Sequence, residues 1–149
     1  MNELKPFEDK LAGLIATLSP AGRRRMTADI AKRLRQRQQQ RIKSQQSPDG
    51  SPFAPRKRQP IRGKKGRVKR EMFAKLRANR FMKASGNDNA AVVEFTGKVQ
   101  RIARVHQLGL MDKSSRHSKS VLYPARILLA LNESDISFVE KAILKHLIE

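Results

Sequence analysis

Apolar residues recur at the start of the chain with the spacing of an amphipathic helix. They fall at i, i+4, i+7, i+8 and i+11, which is one face of a helix with 3.6 residues per turn: Phe7, Leu11, Leu14, Ile15 and Leu18. This spacing predicts a first helix over residues 6–18. Ser19 then stands where a helix N-cap belongs, and Pro20 occupies the first helical position of a second segment.

The second segment predicts a long and very polar helix from Pro20 to about Gln46, roughly 40 Å in length at 1.5 Å per residue. Arginine, lysine and glutamine fill most of its positions, and its apolar stripe is thin. The stripe runs through Met26, Ile30, Leu34, Gln38 and Ile42. Two interpretations stay open: an exposed helix sustained by good helix formers, or a basic rod offered to a partner.

Shorter elements follow in the middle of the chain. Residues 68–76 favour a short helix because their apolar positions share one side. Residues 79–85 and 90–96 predict a hairpin around the turn sequence GNDN. Helical spacing returns over residues 98–109, where the terminal Gly109 suits the position after a helix end.

The last forty residues predict a polar, mobile loop over 110–123, a buried strand over 124–131 and a final helix capped by Asn132 or Ser134. The apolar face of that helix consists of Ile136, Val139, Ile143, Leu144 and Leu147. The expected fold class is therefore α+β, with packed helices and a small antiparallel sheet of three or four strands.

The chain length of 149 residues is most simply one domain with a modest core. We expect three parts within it: a helical part over 6–46, a basic arm rich in proline and glycine over 47–70, and an α+β core over 71–149. No cysteine is present, so no disulfide framework is expected.

Charge is concentrated in one stretch of the chain. The net charge is +20, and residues 21–80 hold 21 basic and three acidic side chains. Such a block repels itself and favours a polyanionic or strongly acidic neighbour over a merely solvated face. The candidate polyanion contacts are Arg33, Arg37, Arg41, Lys64, Lys65 and Arg67.

Catalytic and cofactor chemistry is not expected. His106, His117 and His146 share no metal-ligand spacing with one another or with a pair of carboxylates, and His146 is expected at the surface. No phosphate-binding glycine motif and no nucleophile elbow occurs. We also expect a protein without a signal peptide or membrane span, because the longest apolar run, residues 127–131, is far too short.

Nucleic-acid binding is an alternative function of a different class. The basic block supplies attraction to phosphate, but only Phe53 and Phe73 offer stacking surfaces within it, and no sequence-reading motif occurs. The alternative is therefore a sequence-independent, architectural DNA-binding protein whose affinity depends on salt. A membrane-surface role is disfavoured, because the apolar stripe of the basic helix is too thin to insert.

Three stretches together resemble the phage virion morphogenesis family, and in particular the tail completion proteins of temperate phages with contractile tails. "SPDGSPFAPRKR" (47–58) resembles a Pro-Asp-Gly, aromatic, Ala-Pro loop that follows a long helix. "ARVHQLG" (103–109) is similar to an A-x-x-H-Q-x-G motif, and "YPARILLALNESD" (123–135) to a P-A-R motif followed by a strand and a capped C-terminal helix. Phe53 departs from the family's frequent Trp or Tyr, and Ile127 and Ala130 stand where many members have Pro and Gly.

This resemblance implies a structural virion protein, without catalytic residues or cofactors, that finishes the head-proximal end of a tail so that a filled head can join. It implies a ring of copies of the chain, with six subunits suggested by contractile tails. The other partners implied are tail tube, sheath or terminator proteins and head connector proteins, with incidental contact to packaged DNA. Its expected locations are the virion tail and, during assembly, the host cytoplasm.

Within this resemblance, residues 47–60 are interpreted as a docking arm that orders on assembly. A loop stiffened by proline loses little entropy on docking, and Phe53 would be its apolar anchor, so Phe53→Ala is expected to abolish assembly without unfolding the monomer. The candidate interface residues are Pro48, Asp49, Gly50, Phe53, Pro55, Arg56, Lys57, Arg58 and Arg126.

Three polar residues of the later motifs favour fold integrity over contact with a partner. His106 and Gln107 are expected to hydrogen-bond backbone groups in a buried turn. Arg126 is expected to pair with a carboxylate nearby or on the next subunit.

Overall fold

The computed structural model describes residues 5–56, 71–113 and 116–148 and has the predicted α+β class. Within these residues there are four helices and four strands: α1 (Lys5–Ala16), α2 (Pro20–Lys43), β1 (Met82–Gly86), β2 (Ala91–Phe95), α3 (Gly97–Leu108), β3 (Met111–Asp112), β4 (Val121–Leu122) and α4 (Glu133–Ile148). The strands form two separate two-stranded sheets, β1–β2 and β3–β4, rather than one sheet of three or four.

The chain divides into two compact units. Unit 1 comprises Met1–Gln36, Lys83–Glu94 and Leu131–Glu149, and unit 2 comprises Arg37–Met82 and Phe95–Ala130.

Helix ends follow the local signals of the sequence. The Ser19 hydroxyl oxygen accepts a hydrogen bond from the Gly22 amide at 3.0 Å, as an N-cap does. Gly109 has φ +66° and ends α3 by donating its amide to the Val105 carbonyl, which confirms the predicted αL end. Asn132 and Asp135 exchange hydrogen bonds between side chain and amide at 2.8 and 3.1 Å, so Asn132 caps α4 in a reciprocal capping box.

The core of unit 1 forms where α1, α2 and α4 bring their apolar faces together. Met26 and Ile30 of α2 and Ala142 of α4 are buried. Partly buried side chains surround them: Ile15, Leu18, Leu34, Val139 and Ile143. The predicted apolar face of the last helix is thus only partly covered, because Ile136 and Leu144 stay exposed.

The β1–β2 hairpin lies against the start of α2 in unit 1. The Thr27 hydroxyl donates to the Asn87 carbonyl at 2.6 Å, and the Arg23 Nε donates to the Asp88 carbonyl at 3.1 Å. Gly86 makes the closest approach, because a Cβ at this position would lie 2.3 Å from the Ala28 nitrogen. Only a residue without a side chain allows the hairpin to reach the helix backbone.

Gly86→Ala is therefore expected to lower the free energy of unfolding by about 1–3 kcal/mol, since backbone atoms must move to admit the methyl group. Gly13→Ala is the matched control. Gly13 lies inside α1 with no atom within 4 Å of its built Cβ, so alanine there should stabilise by about 0.5–1 kcal/mol. Denaturant unfolding followed by circular dichroism measures both, and equal effects of the two substitutions would contradict the close approach.

The short helix predicted over 68–76 is wrong for residues 71–76, because none of them is helical and 72–76 form turns, while 68–70 lie outside the described residues. Phe73 has φ +65°, a left-handed conformation that a helix cannot contain. The Gln45 side chain hydrogen-bonds both backbone groups of Met72. It accepts from the Met72 amide at 3.2 Å and donates to the Met72 carbonyl at 2.8 Å. These two bonds take the place of the hydrogen bonds that the Met72 amide and carbonyl would make in a helix.

The strand predicted over 124–131 is also wrong, although Leu128 is fully buried as a core strand residue would be. The Gln107 side chain supplies the bonds that a neighbouring strand would supply. Its oxygen accepts from the amides of Leu128 and Leu129 at 2.7 and 3.0 Å, and its nitrogen donates to the Leu129 carbonyl at 2.8 Å. The Gln107 side chain therefore bonds residues 128 and 129 in place of a neighbouring strand.

The loop predicted over 110–123 contains a short ladder near its ends. Met111 pairs with Leu122 and Asp112 with Val121 in an antiparallel register. The ladder keeps the end of α3 close to the segment that begins at Tyr123, whose amide donates to the Leu110 carbonyl at 3.1 Å. This placement brings the three sequence motifs together within unit 2.

Candidate partner-interface site

The Pro-Asp-Gly loop (residues 47–56) is a folded turn on the surface of unit 2. Gly50 has φ +88° and donates its amide to the Ser47 carbonyl at 2.9 Å, which forms the turn expected at Asp49 and Gly50. The Asp49 carboxylate accepts from the hydroxyl and the amide of Ser51 at 2.5 and 2.9 Å. These bonds, the hydroxyl bond first, lower the pKa of Asp49.

Phe53 is buried inside unit 2 and is only 6% exposed. Its amide donates to the Gln45 carbonyl at 2.8 Å, and its ring meets Phe73 edge to face at 5.6 Å between centroids. The rings continue from Phe73 to His106 at 4.8 Å and from His106 to Tyr123 at 5.1 Å. In this conformation Phe53 begins an aromatic row within its own subunit and is not exposed as an anchor for another.

Arg126 fastens the Pro-Asp-Gly loop to the rest of unit 2. It is 4% exposed, and its Nε and Nη2 donate to the carbonyls of Ala54 at 2.7 Å and Pro55 at 3.1 Å. The contacts predicted for it were to a carboxylate, whereas these two partners are backbone carbonyls. Burial, and then the neighbouring Arg56 cation, lower the pKa of Arg126.

His106 and Gln107 lie in the last turn of α3. The Gln107 side chain binds backbone groups, as predicted, whereas the His106 ring contacts the Arg126 side chain instead. The Gln107 side chain binds the backbone of the segment after Pro124 in the way described above. The His106 carbonyl accepts from the Arg126 amide at 2.7 Å, and its ring Nδ1 lies 3.3 Å from Arg126 Nη1. The A-R-V-H-Q-L-G and P-A-R motifs are therefore complementary halves of one contact.

The His106 ring is held in its neutral form. Burial, followed by the Arg126 cation, lowers the pKa of His106 below the ordinary 6.5, and the Asp112 carboxylate opposes this shift. Below pH 6.5 the unfolded chain gains a proton at this residue before the folded chain does. The contribution of His106 to stability is thus complete above pH 6.5 and declines as the pH falls toward the lower, folded-state pKa.

We expect the wild-type chain to lose more unfolding free energy between pH 7.5 and pH 5.5 than His106→Phe, which keeps a ring between Phe73 and Tyr123 but cannot titrate. Denaturant titrations at the two pH values give the difference. The two chains differ only at position 106, so the difference between their losses reports His106. Equal losses in the two proteins would rule out a neutral, buried His106.

Most of the remaining candidate interface residues are accessible. Asp49, Gly50, Pro55 and Arg56 are exposed, and Pro48 is half-buried. Lys57 and Arg58 lie outside the described residues. The structure thus brings the Pro-Asp-Gly loop and Arg126 into one site, and the interface role of these residues stays a prediction.

The candidate polyanion contacts on α2 are partly engaged with their own chain. Arg33 Nε lies 3.2 Å from Asp29 Oδ1, and Arg41 Nη1 donates to the Gln38 side chain at 2.9 Å and to the Ala130 carbonyl at 3.1 Å. Arg37 is half-buried. Lys64, Lys65 and Arg67 lie outside the described residues.

Phe73, Tyr123 and Gln45 also belong to this site, although they were not among the residues predicted for it. Tyr123 carried a signal, because it is the chain's only tyrosine and immediately precedes the P-A-R motif. Phe73 and Gln45 carried none. Both adopt a positive φ, +65° and +57°, which nothing in their sequence surroundings indicates.

Within residues 5–56, 71–113 and 116–148, no group of three or more histidine, aspartate or glutamate side chains is placed to hold a metal ion. None of the helices described is long and apolar enough to cross a membrane.

His146 was predicted at the surface but is half-buried in unit 1. Its Nε2 lies 3.0 Å from Asp29 Oδ2, and this hydrogen bond is the main reason that the pKa of Asp29 is lowered.

Comparison with known proteins agrees with the motifs that meet in this site. The model of the phage virion morphogenesis family matches residues 2–148. The tail completion protein S of Escherichia phage P2 is 51% identical over 148 residues, which cover 99% of each chain. No solved structure matches. With a family match over nearly its full length and half of its residues shared with this relative, the chain belongs to the phage virion morphogenesis family.

Proposed function

We propose that this protein is a structural subunit that completes the head-proximal end of a phage tail and thereby enables stable head–tail joining. The observation that carries the proposal is the 51% identity to a tail completion protein over 99% of both chains. The alignment extends over nearly all of both chains, which supports the transfer of function from the relative as a whole.

The site's chemistry supports a structural role over a catalytic one. The side chains of Arg126 and Gln107 bind backbone groups, and the His106 ring contacts the Arg126 guanidinium, all within the same unit. Buried polar groups arranged in this way fix loops and segments in place. A surface with a fixed shape is what a subunit needs in order to dock on others without a large loss of entropy.

The finer parts of the proposal concern assembly. The protein acts as a subunit of a ring, with six copies suggested by contractile-tail architecture. Its neighbours are copies of itself, proteins of the tail tube, sheath or terminator, and proteins of the head connector. The ring sits at the head-proximal end of the tail in the virion, after assembly in the host cytoplasm.

A complementation assay tests the proposal. Purified protein is mixed with tails from a lysate that lacks it, filled heads are added, and infectious particles are counted. Tail completion predicts that infectivity rises with the amount of protein added. A titre that stays at the level of the buffer control, with intact heads and tails present, would exclude this function.

Sequence-independent DNA binding is the second candidate, and one observation favours it. Unit 2 contains 22 basic and three acidic residues in sequence, which gives it nearly all of the net charge. This function predicts binding to duplex DNA whose affinity falls steeply with salt, since each phosphate contact releases a counterion. Binding isotherms between about 50 and 200 mM salt decide it, because weak affinity at both concentrations argues against DNA as a partner.

A further inference from the structure

Unit 2 carries an apolar groove of about 940 Å³ beside the Pro-Asp-Gly loop. Its walls include aromatic and aliphatic side chains, among them Phe73, Phe81, Ile102 and Leu122. Ile102 and Leu122 are exposed despite their size. Such an accumulation of accessible apolar surface marks an interaction site.

The charges in the groove are mainly positive. Arg56, Lys75 and Arg126 line it. Glu71 is the one carboxylate among the described lining residues, and its Oε2 lies 3.4 Å from Arg77 Nη1. The groove therefore suits an apolar segment that also carries an unneutralised carboxylate.

Unit 1 carries a surface of this kind on α4. Ile136, Glu140, Leu144 and Ile148 follow one another at intervals of four residues, so they form a row about 18 Å long on one side of the helix. Their three apolar members are exposed. This α4 row lies beside the side chains that α4 contributes to the core of unit 1, and it places one carboxylate between apolar groups.

The division of charge between the units limits how two copies can meet. Unit 1 contains 11 basic and 10 acidic residues, whereas unit 2 contains 22 basic and three acidic ones. Contact between the unit 2 surfaces of two copies would bring net charges of +19 together, and like charges in an interface are strongly disfavoured. Contact between unit 2 of one copy and the nearly neutral unit 1 of another avoids this repulsion.

We propose that the unit 2 groove of one copy receives the α4 row of a second copy. The proposal rests on the ring-forming role proposed above and names the two surfaces that make the ring contact. Because the surfaces differ, the contact is heterologous, and each copy offers one groove and one row. Contacts of this type repeat from subunit to subunit and close into a ring when the rotation permits.

Lysine substitutions on the two surfaces test the contact. Leu122→Lys places a charge in the groove, and Leu144→Lys places one in the row, where the cations of the groove would repel it. Leu108→Lys and Leu131→Lys are matched controls in units 2 and 1. Both control leucines are 56% exposed, against 62% for Leu122 and 39% for Leu144, and neither belongs to the groove or the row. Circular dichroism verifies folding, and Ile102→Lys and Ile148→Lys replace any variant that unfolds.

Analytical ultracentrifugation at 150 mM salt measures the association. We expect the wild-type chain and both controls to form species larger than a dimer, and each surface variant alone to be monomeric. An equimolar mixture of Leu122→Lys and Leu144→Lys should form a dimer and nothing larger. The first variant keeps an intact row and the second keeps an intact groove, so a single contact can form between them.

Three results would overturn the proposal. The first is a wild-type chain that is monomeric at about 0.1 mM, far above a micromolar Kd. The second is a Leu144→Lys chain that associates as the wild type does. The third is a mixture of Leu122→Lys and Leu144→Lys that remains monomeric. The complementation assay separates this failure from failure of the proposed function. A wild-type chain that is monomeric but still restores infectivity would exclude the groove–row contact and leave the tail-completion function standing. A wild-type chain that forms rings but does not restore infectivity would exclude tail completion and leave the contact standing.

Discussion

Replacement of Phe53 by alanine is expected to lower the free energy of unfolding by about 3–5 kcal/mol, the range for truncation of a buried phenylalanine. The ring is 6% exposed and packs edge to face on Phe73. The loop cannot easily collapse into the resulting cavity, because the Phe53 amide is bound to the Gln45 carbonyl and Arg126 holds the Ala54 carbonyl. Denaturant unfolding followed by circular dichroism measures the loss.

Phe7→Ala is the matched control, because Phe7 is 40% exposed on α1 and should cost much less. The motif alone led us to expect that Phe53→Ala abolishes assembly while the monomer stays folded. The burial of Phe53 within unit 2 predicts instead that any loss of infectious particles accompanies a loss of stability. A fully stable Phe53→Ala protein that fails to assemble would contradict this prediction and would support a direct contact between the Phe53 side chain and a partner.

The position of Phe53 also changes how the Pro-Asp-Gly loop can act in assembly. Its apolar residue lies inside the subunit, and its exposed residues are Asp49, Gly50, Ser51, Pro52, Pro55 and Arg56. A partner would therefore meet a polar, proline-stiffened surface whose shape is fixed from within. Mutations at exposed positions are then the suitable tests of a docking role, because they leave the aromatic row intact.

Features specified by neighbouring residues could be predicted from the sequence. Ser19 before Pro20, Gly109 after the VHQL turn, and Asn132 three residues before Asp135 each fix a helix end through bonds that span a few positions. The turn sequence GNDN likewise determined the β1–β2 hairpin. Local chemistry is sufficient in these cases, because the partner of each group is close in sequence.

Features that depend on distant partners could not be predicted. The segment 124–131 has the composition of a buried strand, yet the amides of Leu128 and Leu129 are satisfied by the Gln107 side chain, about twenty residues earlier in the chain. Periodicity reports burial, and Leu128 is indeed buried, but it does not report which group accepts the hydrogen bonds. The left-handed conformation of Phe73 was hidden for the same reason, since the Gln45 side chain that binds Met72 is 27 positions away from it.

Arg126→Met is expected to lower the free energy of unfolding by about 3–5 kcal/mol. The substitution removes two hydrogen bonds from a charged donor and leaves the Ala54 and Pro55 carbonyls without that donor. Methionine keeps much of the volume, so the loss reports the polar contacts and not a cavity. The loop should also open locally. Hydrogen exchange of the amides in residues 47–56 is expected to accelerate more than exchange in the core of unit 1.

Two further variants separate the causes of this loss. Arg101→Met removes an arginine whose side chain is 76% exposed and pairs with Asp112, and it should cost less than about 1 kcal/mol. Arg126→Lys keeps a charge but lacks the planar fork that reaches two carbonyls, so it should recover only part of the stability. Full recovery by lysine would mean that charge alone fastens the loop, and a loss as small as that of Arg101→Met would mean that the P-A-R arginine serves another subunit.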